Sequence, residues 1–190
     1  MKNVLIISGH TDLNDSVANK EILQELENKL PDAVFSYLDR LYPNYEIDVK
    51  SEQRKLIDAD IIILQYPIFW YGIPSILKKW MEMVFEHGFS HGMGGDKLKG
   101  KKLIASFTSG AKEEVYHKNQ AVGYEIEDFL PAIKATCNLC GMTFIGYVYS
   151  GGVSYQMRTD EESIDMIKKK TNSHVNRLMN MIGREGEKNE

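Results

Sequence analysis

The sequence predicts an α/β domain built on a parallel sheet of five strands. Short apolar runs such as Val4–Ser8 do not alternate in polarity, which is typical of strands covered on both faces. Segments with helical spacing of apolar residues alternate with these runs, and that alternation indicates parallel strands joined by helices. Five strands in this arrangement favour a doubly wound, three-layer sheet with the strand order 2-1-3-4-5.

The first half of the chain carries three predicted strands and three predicted helices. Apolar residues recur at Ile22, Leu23, Leu26 and Leu30, and Pro31 stops the helix that they define. The other elements follow from short apolar runs, from Ser51 as an N-cap and from Pro74 in a first turn. The predicted strands are Val4–Ser8, Val34–Leu38 and Ile61–Leu64, closed by Pro67, and the predicted helices are Ser16–Leu30, Ser51–Ile57 and Pro74–Phe85.

The second half of the chain repeats the alternation. The predicted strands are Leu103–Phe107 and Phe144–Tyr149, and the predicted helices are Tyr124–Leu139, ended by Gly141, and Asp160–Ile182. We expect one domain over residues 1–182, of the flavodoxin-like topology that the strand order defines, and a frayed polar tail over residues 183–190.

Composition excludes several function classes. The chain has 190 residues, a formal net charge of -4 and a pI of about 5.8, which disfavours a nucleic-acid partner. No stretch approaches the roughly 18 uninterrupted apolar residues of a membrane span. The N-terminal apolar run is better read as a strand than as a signal peptide, so we expect a cytoplasmic protein.

Ligands of such a sheet bind outside the carboxyl ends of the strands, which directs attention to three loops. The first loop runs from Ser8 into a helix whose N-terminus favours a phosphate. His10, Ser16 and Asn19 can donate hydrogen bonds there. Neither a G-x-G-x-x-G turn nor a P-loop is present, and an ordinary serine N-cap is the alternative.

The second loop, from Gln65 to Pro74, holds three consecutive aromatic residues at Phe69, Trp70 and Tyr71. The prolines that bracket it indicate irregular backbone. Exposed aromatic rings at a ligand edge favour a flat ring such as an isoalloxazine as their partner. The alternative is packing into the core or onto a neighbouring subunit.

The third loop carries Thr108, Ser109 and Gly110, with Tyr116 shortly after it. Two hydroxyls and a glycine allow close approach to the polar edge of a flat ring. The hydroxyl of Tyr116 is a candidate to hydrogen-bond the ring or a reacting oxygen, and so we predict a catalytic role for it.

Two other patterns indicate structure rather than chemistry. Cys137 and Cys140 form a C-x-x-C at the end of a predicted helix, where the helix dipole opposes a thiolate. His87 and His91 have the spacing of a helical metal pair, but glycines interrupt any helix there. We therefore expect no metal site.

Taken together, the motifs resemble the NAD(P)H:quinone oxidoreductases of the DT-diaphorase type. The likeness is strongest to the small bacterial branch that includes the ancillary flavoprotein of glutathione-gated potassium efflux systems and related general stress proteins. It covers nearly the whole chain from Val4 into the last helix. The stretches that carry it are Gly9-His10 with Ser16 and Asn19, Leu41-Tyr42-Pro43 with Ile47-Asp48, Gln65-Tyr66-Pro67 with Trp70-Tyr71 and Pro74, Leu77-Lys78 with Trp80, Glu86-His87-Gly88-Phe89, and Leu98-Lys99-Gly100-Lys101.

The resemblance implies FMN, with FAD as an alternative, and NADPH or NADH as co-substrate. It implies two-electron hydride transfer through flavin N5 to a quinone, and a homodimer with flavin sites near the interface. His10, Ser16, Val17 and Asn19 would hold the phosphate side, and the ring would be framed by Pro67, Ile68, Phe69, Trp70, Tyr71, Thr108, Ser109 and Gly110. The family often has a histidine where this chain reads Ala121-Val122-Gly123-Tyr124.

Two other functions stay open at this point. The resemblance reaches a subgroup that regulates potassium efflux, so the chain could dock at the inner face of the membrane on such a transporter. A one-electron carrier of the flavodoxin kind is disfavoured by the modest net charge and by the long loop from His10 to Ser16.

Overall fold

The computed structural model describes residues 2–187, apart from the side chains at positions 155, 159, 186 and 187. Its centre is a parallel sheet with the strand order β2-β1-β3-β4-β5, which confirms the predicted topology. The strands are β1 (Val4–Ser8), β2 (Val34–Tyr37), β3 (Ile61–Pro67), β4 (Lys102–Thr108) and β5 (Thr143–Ser150).

Helices cover both faces of the sheet, because successive strand residues point to opposite faces and both sets are apolar. Ile6 and Ile63 pack with one group of helices, and Leu5 and Ile62 pack with the other. The helices are α1 (Ala18–Lys29), α2 (Leu38–Leu41), α3 (Val49–Asp58), α4 (Ser75–Val84), α5 (Pro131–Leu139) and α6 (Glu161–Glu187). α1 and α6 lie together on the first face, and α2, α3, α4 and α5 lie on the second.

Several predicted boundaries were wrong, each for a local reason. α5 begins at Pro131 rather than Tyr124, because proline lacks an N–H and restricts the residue before it. The preceding segment forms a short 3-10 turn at Ile126–Phe129 instead. β3 runs through Pro67, which pairs with the end of β4.

The start of α3 was also misassigned, because the capping residue is Asp48 and not Ser51. The Asp48 carboxylate accepts a hydrogen bond from the Ser51 N–H at 2.9 Å, so Ser51 lies inside the first turn. The last helix continues to Glu187, past the predicted end at Ile182, and positions 188–190 of the predicted tail lie outside the described residues. The short helix α2 was not predicted.

No helix within residues 2–187 has the length and hydropathy needed to cross a membrane.

Candidate functional site

One cavity of about 610 Å³ opens at the carboxyl ends of β1, β3, β4 and β5. Its volume falls within the roughly 300–1,000 Å³ that is usual for small-molecule sites. Its walls are His10, Thr11, Asp12, Asp15, Ser16, Val17, Asn19, Pro67, Ile68, Phe69, Thr108, Ser109, Gly110, Ala111, Val153, Ser154 and Gln156.

The cavity brings together ten of the twelve residues predicted to hold a cofactor. Trp70, Tyr71 and the predicted catalytic Tyr116 are not in its wall. Seven wall residues were missed, and three of them, Val153, Ser154 and Gln156, follow β5. The predicted strand order could have found these three, since it places β5 beside β4 and so brings the loops after both strands to the same edge.

The polar end of the cavity is formed where β1 leads into α1. Ser16 Oγ accepts hydrogen bonds from the backbone N–H of Asn19 at 3.1 Å and from its side-chain amide at 3.2 Å. The same amide nitrogen donates to Thr108 Oγ1 at 3.0 Å. Two hydroxyls and a helix N-terminus therefore meet at one end, an arrangement that suits an anionic group.

His10 adds a third donor beside this end. Its Nδ1 accepts a hydrogen bond from the backbone N–H of Asp12 at 3.1 Å. Burial lowers the pKa of His10, although the carboxylates of Asp39, Asp12 and Asp15 oppose that shift. The neutral ring then carries its hydrogen on Nε2, which leaves an N–H donor, while the ring meets Phe69 edge-on at 5.7 Å.

No lysine or arginine is among the wall residues that the structure describes, whereas Asp12 and Asp15 both are. The carboxylate of Asp12 accepts a hydrogen bond from the nearby Asn14 N–H at 3.0 Å, so one of its oxygens has a partner within the loop. An anion in this cavity would be held by neutral donors and the dipole of α1 rather than by a cation.

The apolar side of the cavity comes from the loop after β3. Pro67, Ile68 and Phe69 line it, and the next two residues form a tight turn. Phe69 and Gly72 exchange two backbone hydrogen bonds of 3.0 Å across that turn. Trp70 and Tyr71 have φ angles of 48° and 64°, the pattern of a type I′ turn made without glycine.

That backbone is strained, because residues with a Cβ disfavour the left-handed region by roughly 1–2 kcal/mol each. The turn holds the Trp70 ring 95% exposed at the rim of the molecule. Tyr71 stacks on Phe129 with ring centroids 5.4 Å apart. The two rings thus form an exposed aromatic rim next to the cavity instead of part of its wall.

The third loop is held from behind by Tyr149. The hydroxyl of Ser109 donates to the carbonyl of Ala111 at 2.7 Å and lies 2.6 Å from the hydroxyl of Tyr149. Since the Ser109 hydrogen is used, the Tyr149 hydroxyl must donate to Ser109 Oγ. Ser109 therefore shapes the loop through its side chain. Gly110 packs on Ser154, and a Cβ at position 110 would lie 3.4 Å from the Cα of Ser154.

Tyr116 lies behind this loop. It is buried, and its ring makes edge contacts with Phe129 at 6.1 Å and Tyr149 at 5.8 Å. The described hydrogen bonds give its hydroxyl no partner. Tyr116 is not among the wall residues of the cavity, and its catalytic role stays a prediction.

The two patterns interpreted as structural lie away from the cavity. His87 and His91 have ring centroids 5.7 Å apart, and within residues 2–187 no group of three His, Cys, Asp or Glu side chains is arranged to hold a metal. Cys137 and Cys140 are both buried, and they form no disulfide. Burial raises the pKa of Cys137 to about 11 and also raises that of Cys140, which disfavours a reactive thiolate.

Comparison with known proteins places these features in context. The family described as having a flavodoxin-like fold matches residues 2–175 of the chain. An uncharacterized NAD(P)H oxidoreductase of Bacillus subtilis, YrkL, is 33% identical over 173 residues, covering 88% of this chain and 98% of that protein. General stress protein 14 of the same organism is 34% identical over 157 residues, covering 83% and 89% of the two chains.

Solved structures with the same fold cover nearly the whole chain. General stress protein 14 of Treponema denticola, in complex with FMN, has a TM-score of 0.84 at 24% identity and covers 94% of this chain and 99% of its own. An NADPH-quinone reductase from P. pentosaceus has a TM-score of 0.73 at 20% identity, and the match covers 92% of this chain and 98% of that one.

Proposed function

The chain belongs to the family with the flavodoxin-like fold, and on this premise we propose that it is an FMN-dependent oxidoreductase that passes two electrons from NADH or NADPH to a quinone. One observation carries the proposal. The cavity joins a polar end made of neutral donors to an apolar side made of Pro67, Ile68 and Phe69. That division matches a ligand with a phosphate at one end and a flat ring at the other.

The chemistry of the donor set fits FMN. Ser16, Thr108 and His10 supply O–H and N–H donors, and α1 supplies its N-terminus, all without a buried cation. Pro67, Ile68 and Phe69 supply the apolar side of the cavity, against which a flat ring could pack. FMN, when bound, supplies the two-electron redox chemistry, and the protein supplies binding, orientation and electrostatics.

The residues of the chain then have distinct roles in the proposal. The hydroxyl donors and His10 anchor the phosphate side, and the loop from Pro67 to Phe69 excludes water from the ring. The exposed aromatic rim of Trp70 and Tyr71 offers a flat surface for the nicotinamide and the quinone, or for a second copy of the chain. Among the described wall residues the one histidine is His10, and near Val122 the exposed ring of Tyr124 lies beside Phe129.

The relatives support the choice of co-substrates. The 33% identical B. subtilis protein is named an NAD(P)H oxidoreductase, and the P. pentosaceus structure is named an NADPH-quinone reductase. The T. denticola structure contains FMN. The homodimer, the potassium-efflux partner and the cytoplasmic location expected from the sequence stay predictions.

The test is a spectrum of the purified protein, followed by anaerobic addition of NADPH and then of a quinone. We expect a flavin spectrum that bleaches with NADPH and returns with the quinone. A bleached spectrum that the quinone does not restore would remove the quinone from the proposal. Absence of flavin after reconstitution with FMN and with FAD would overturn the oxidoreductase as a whole.

A further inference from the structure

A chain of hydrogen bonds, buried along its middle, runs from α6 to the polar end of the cavity. At the α6 end, Arg177 Nη2 donates to Ser150 Oγ at 2.9 Å and to the Tyr149 carbonyl at 2.8 Å. A guanidinium can only donate, so Ser150 Oγ must accept there. Its own hydrogen is then directed at the other partner of Ser150, which is His174 Nδ1 at 3.0 Å.

His174 fixes the direction of the next step. The residue is fully buried, and burial, with a smaller contribution from Arg177, lowers its pKa to about 3, so the ring is neutral and carries one hydrogen. Since Nδ1 accepts from Ser150, the hydrogen is on Nε2 and is donated to Ser106 Oγ at 2.7 Å. The opposite tautomer would leave the Ser150 hydrogen without an acceptor among the described groups.

The direction continues through two side-chain amides. Ser106 accepts from His174 and therefore donates its hydrogen to Gln65 Oε1 at 2.6 Å. With its oxygen so used, Gln65 turns its amide nitrogen to Asn19 Oδ1 at 2.8 Å. Asn19 in turn presents its nitrogen to the hydroxyl oxygens of Thr108 and Ser16. We call the residues from Arg177 through His174 to Asn19 the His174 chain.

The end of the His174 chain decides what the cavity wall offers. Because Thr108 Oγ1 and Ser16 Oγ accept from Asn19, their own hydrogens remain for another acceptor, and the described hydrogen bonds supply none. Both residues line the cavity. In a reversed chain Asn19 would accept those hydrogens, and both hydroxyls would turn lone pairs toward the ligand, which would repel an anion.

We propose that His174 is a positioning residue whose ring sets the direction of the chain, so that Thr108 and Ser16 present O–H donors to the phosphate of FMN. The inference rests on the proposed function for the identity of the anion. His174 is not among the wall residues of the cavity, and it acts through Ser106, Gln65 and Asn19.

If His174 only supports the core, its replacement should affect ligand binding differently than if His174 orients the hydroxyls of Thr108 and Ser16. A damaged core weakens binding of FMN and of riboflavin alike, since the two ligands share the ring and the ribityl chain. Misdirected hydroxyls weaken binding of FMN alone, because only FMN carries the phosphate. The ratio of the two dissociation constants therefore separates the two roles, and it does not depend on turnover.

The experiment measures dissociation constants of FMN and riboflavin by flavin fluorescence on apoprotein. The variants are His174→Phe, which removes both ring nitrogens, and Ser106→Ala, which interrupts the chain with a small change. We expect each to weaken FMN about tenfold and riboflavin less than about twofold, since a hydrogen bond to a charged group contributes about 1.5 kcal/mol or more. Thr108→Val, which deletes one donor directly, should give the same pattern.

Two controls keep the result interpretable. His174→Gln carries both an acceptor and a donor and should restore part of the preference for FMN. Val175→Ala removes buried volume from the next position of α6, which is not part of the His174 chain. It should lower thermal stability without changing the ratio of the FMN and riboflavin dissociation constants. Circular dichroism verifies that each variant is folded.

The outcomes separate the two proposals. Wild-type protein that binds neither flavin would contradict the proposed function and this inference with it. Wild-type protein that prefers FMN, with the same preference in the His174→Phe and Ser106→Ala variants, would overturn this inference alone and leave the proposed function standing.

Discussion

Among the described residues, the polar network around Glu52 and the His174 chain both run through the core, and they differ in how they end. Around Glu52 the network is closed: its fully buried carboxylate accepts hydrogen bonds from Ser36, Tyr42, Trp80 and Lys55. The His174 chain is neutral along its middle and open, because its last acceptors are hydroxyls of the cavity wall. One network therefore ends within the core, and the other ends at a ligand.

A closed network and an open network affect different properties of the protein. The donors around Glu52 belong to β2, α3 and α4 and, at Tyr42, to the residue that follows α2, so the carboxylate joins several segments on one face of the sheet. Its removal should cost stability and nothing specific at the site. In the open chain the directions of the bonds matter as well as their number, so a change there should alter recognition of a ligand.

The largest expected effect is on the closed network. Glu52→Ala leaves a buried indole N–H, two hydroxyls and a lysine without their acceptor, and we expect the free energy of unfolding to fall by about 4 kcal/mol. Urea unfolding measures this change. Arg54→Ala, at an exposed position of the same helix, is the matched control and should change stability by less than about 0.5 kcal/mol.

Glu52→Gln keeps the shape of the side chain but turns an amide N–H toward some of the donors. Its loss of stability should therefore lie between the losses for Arg54→Ala and Glu52→Ala. A loss of less than about 1 kcal/mol for Glu52→Ala would contradict the structural role of Glu52, and so would an altered preference for FMN over riboflavin in the folded variant.

The neutral, buried ring of His174 should make the protein less stable in acid. His174 has a pKa of about 3 in the native state and its ordinary value near 6.5 when unfolded. Below pH 6.5 the unfolded state binds a proton that the native state does not, so the free energy of unfolding falls with falling pH. Between pH 7.5 and pH 5 this group alone should remove about 2 kcal/mol.

Urea unfolding at pH 7.5, 6.5 and 5.0 measures the slope in wild-type protein and in His174→Gln. The shifts of carboxylates and of His10, whose pKa burial also lowers, are common to both proteins and cancel in the difference. The charged group that lowers the pKa of His174, besides burial, is Arg177 on the same helix. Parallel curves for the two proteins would show that His174 titrates normally in the native state.

The sequence predicted the sheet well because its strands are apolar runs bounded by helical segments, which is a local signal. It predicted most of the cavity wall because parallel strands bring their carboxyl-end loops to one edge. The His174 chain could not be found that way. Gln65 and Ser106 meet only because β3 and β4 pair in one register, and His174 reaches them from α6.

A weaker signal was nevertheless present in the sequence. Gln65 and Ser106 are polar residues inside otherwise apolar strands, and His174 precedes Val175 and Leu178 on the apolar face of its helix. Buried polar groups need partners, so three such residues indicate a shared network. The position of Tyr116 lacked any such signal, because the long loop between β4 and α5 has no periodicity that fixes it.

The smallest expected effect is that of Tyr116→Phe. Tyr116 and Tyr149 are neighbouring buried rings, but the described hydrogen bonds include only the hydroxyl of Tyr149, which holds Ser109. We expect Tyr116→Phe to change kcat and the KM for NADPH and quinone by less than about twofold with FMN retained, since an unpartnered hydroxyl away from the cavity contributes little.

Tyr149→Phe is the matched control, because it deletes the same atom from the adjacent ring. It releases the loop that carries Gly110, so we expect a larger loss, of about fivefold to tenfold in kcat/KM. Steady-state kinetics on both FMN-loaded variants decides between the two tyrosines. A tenfold fall in kcat for Tyr116→Phe alone would contradict this expectation and support the catalytic role of Tyr116 that the sequence predicts.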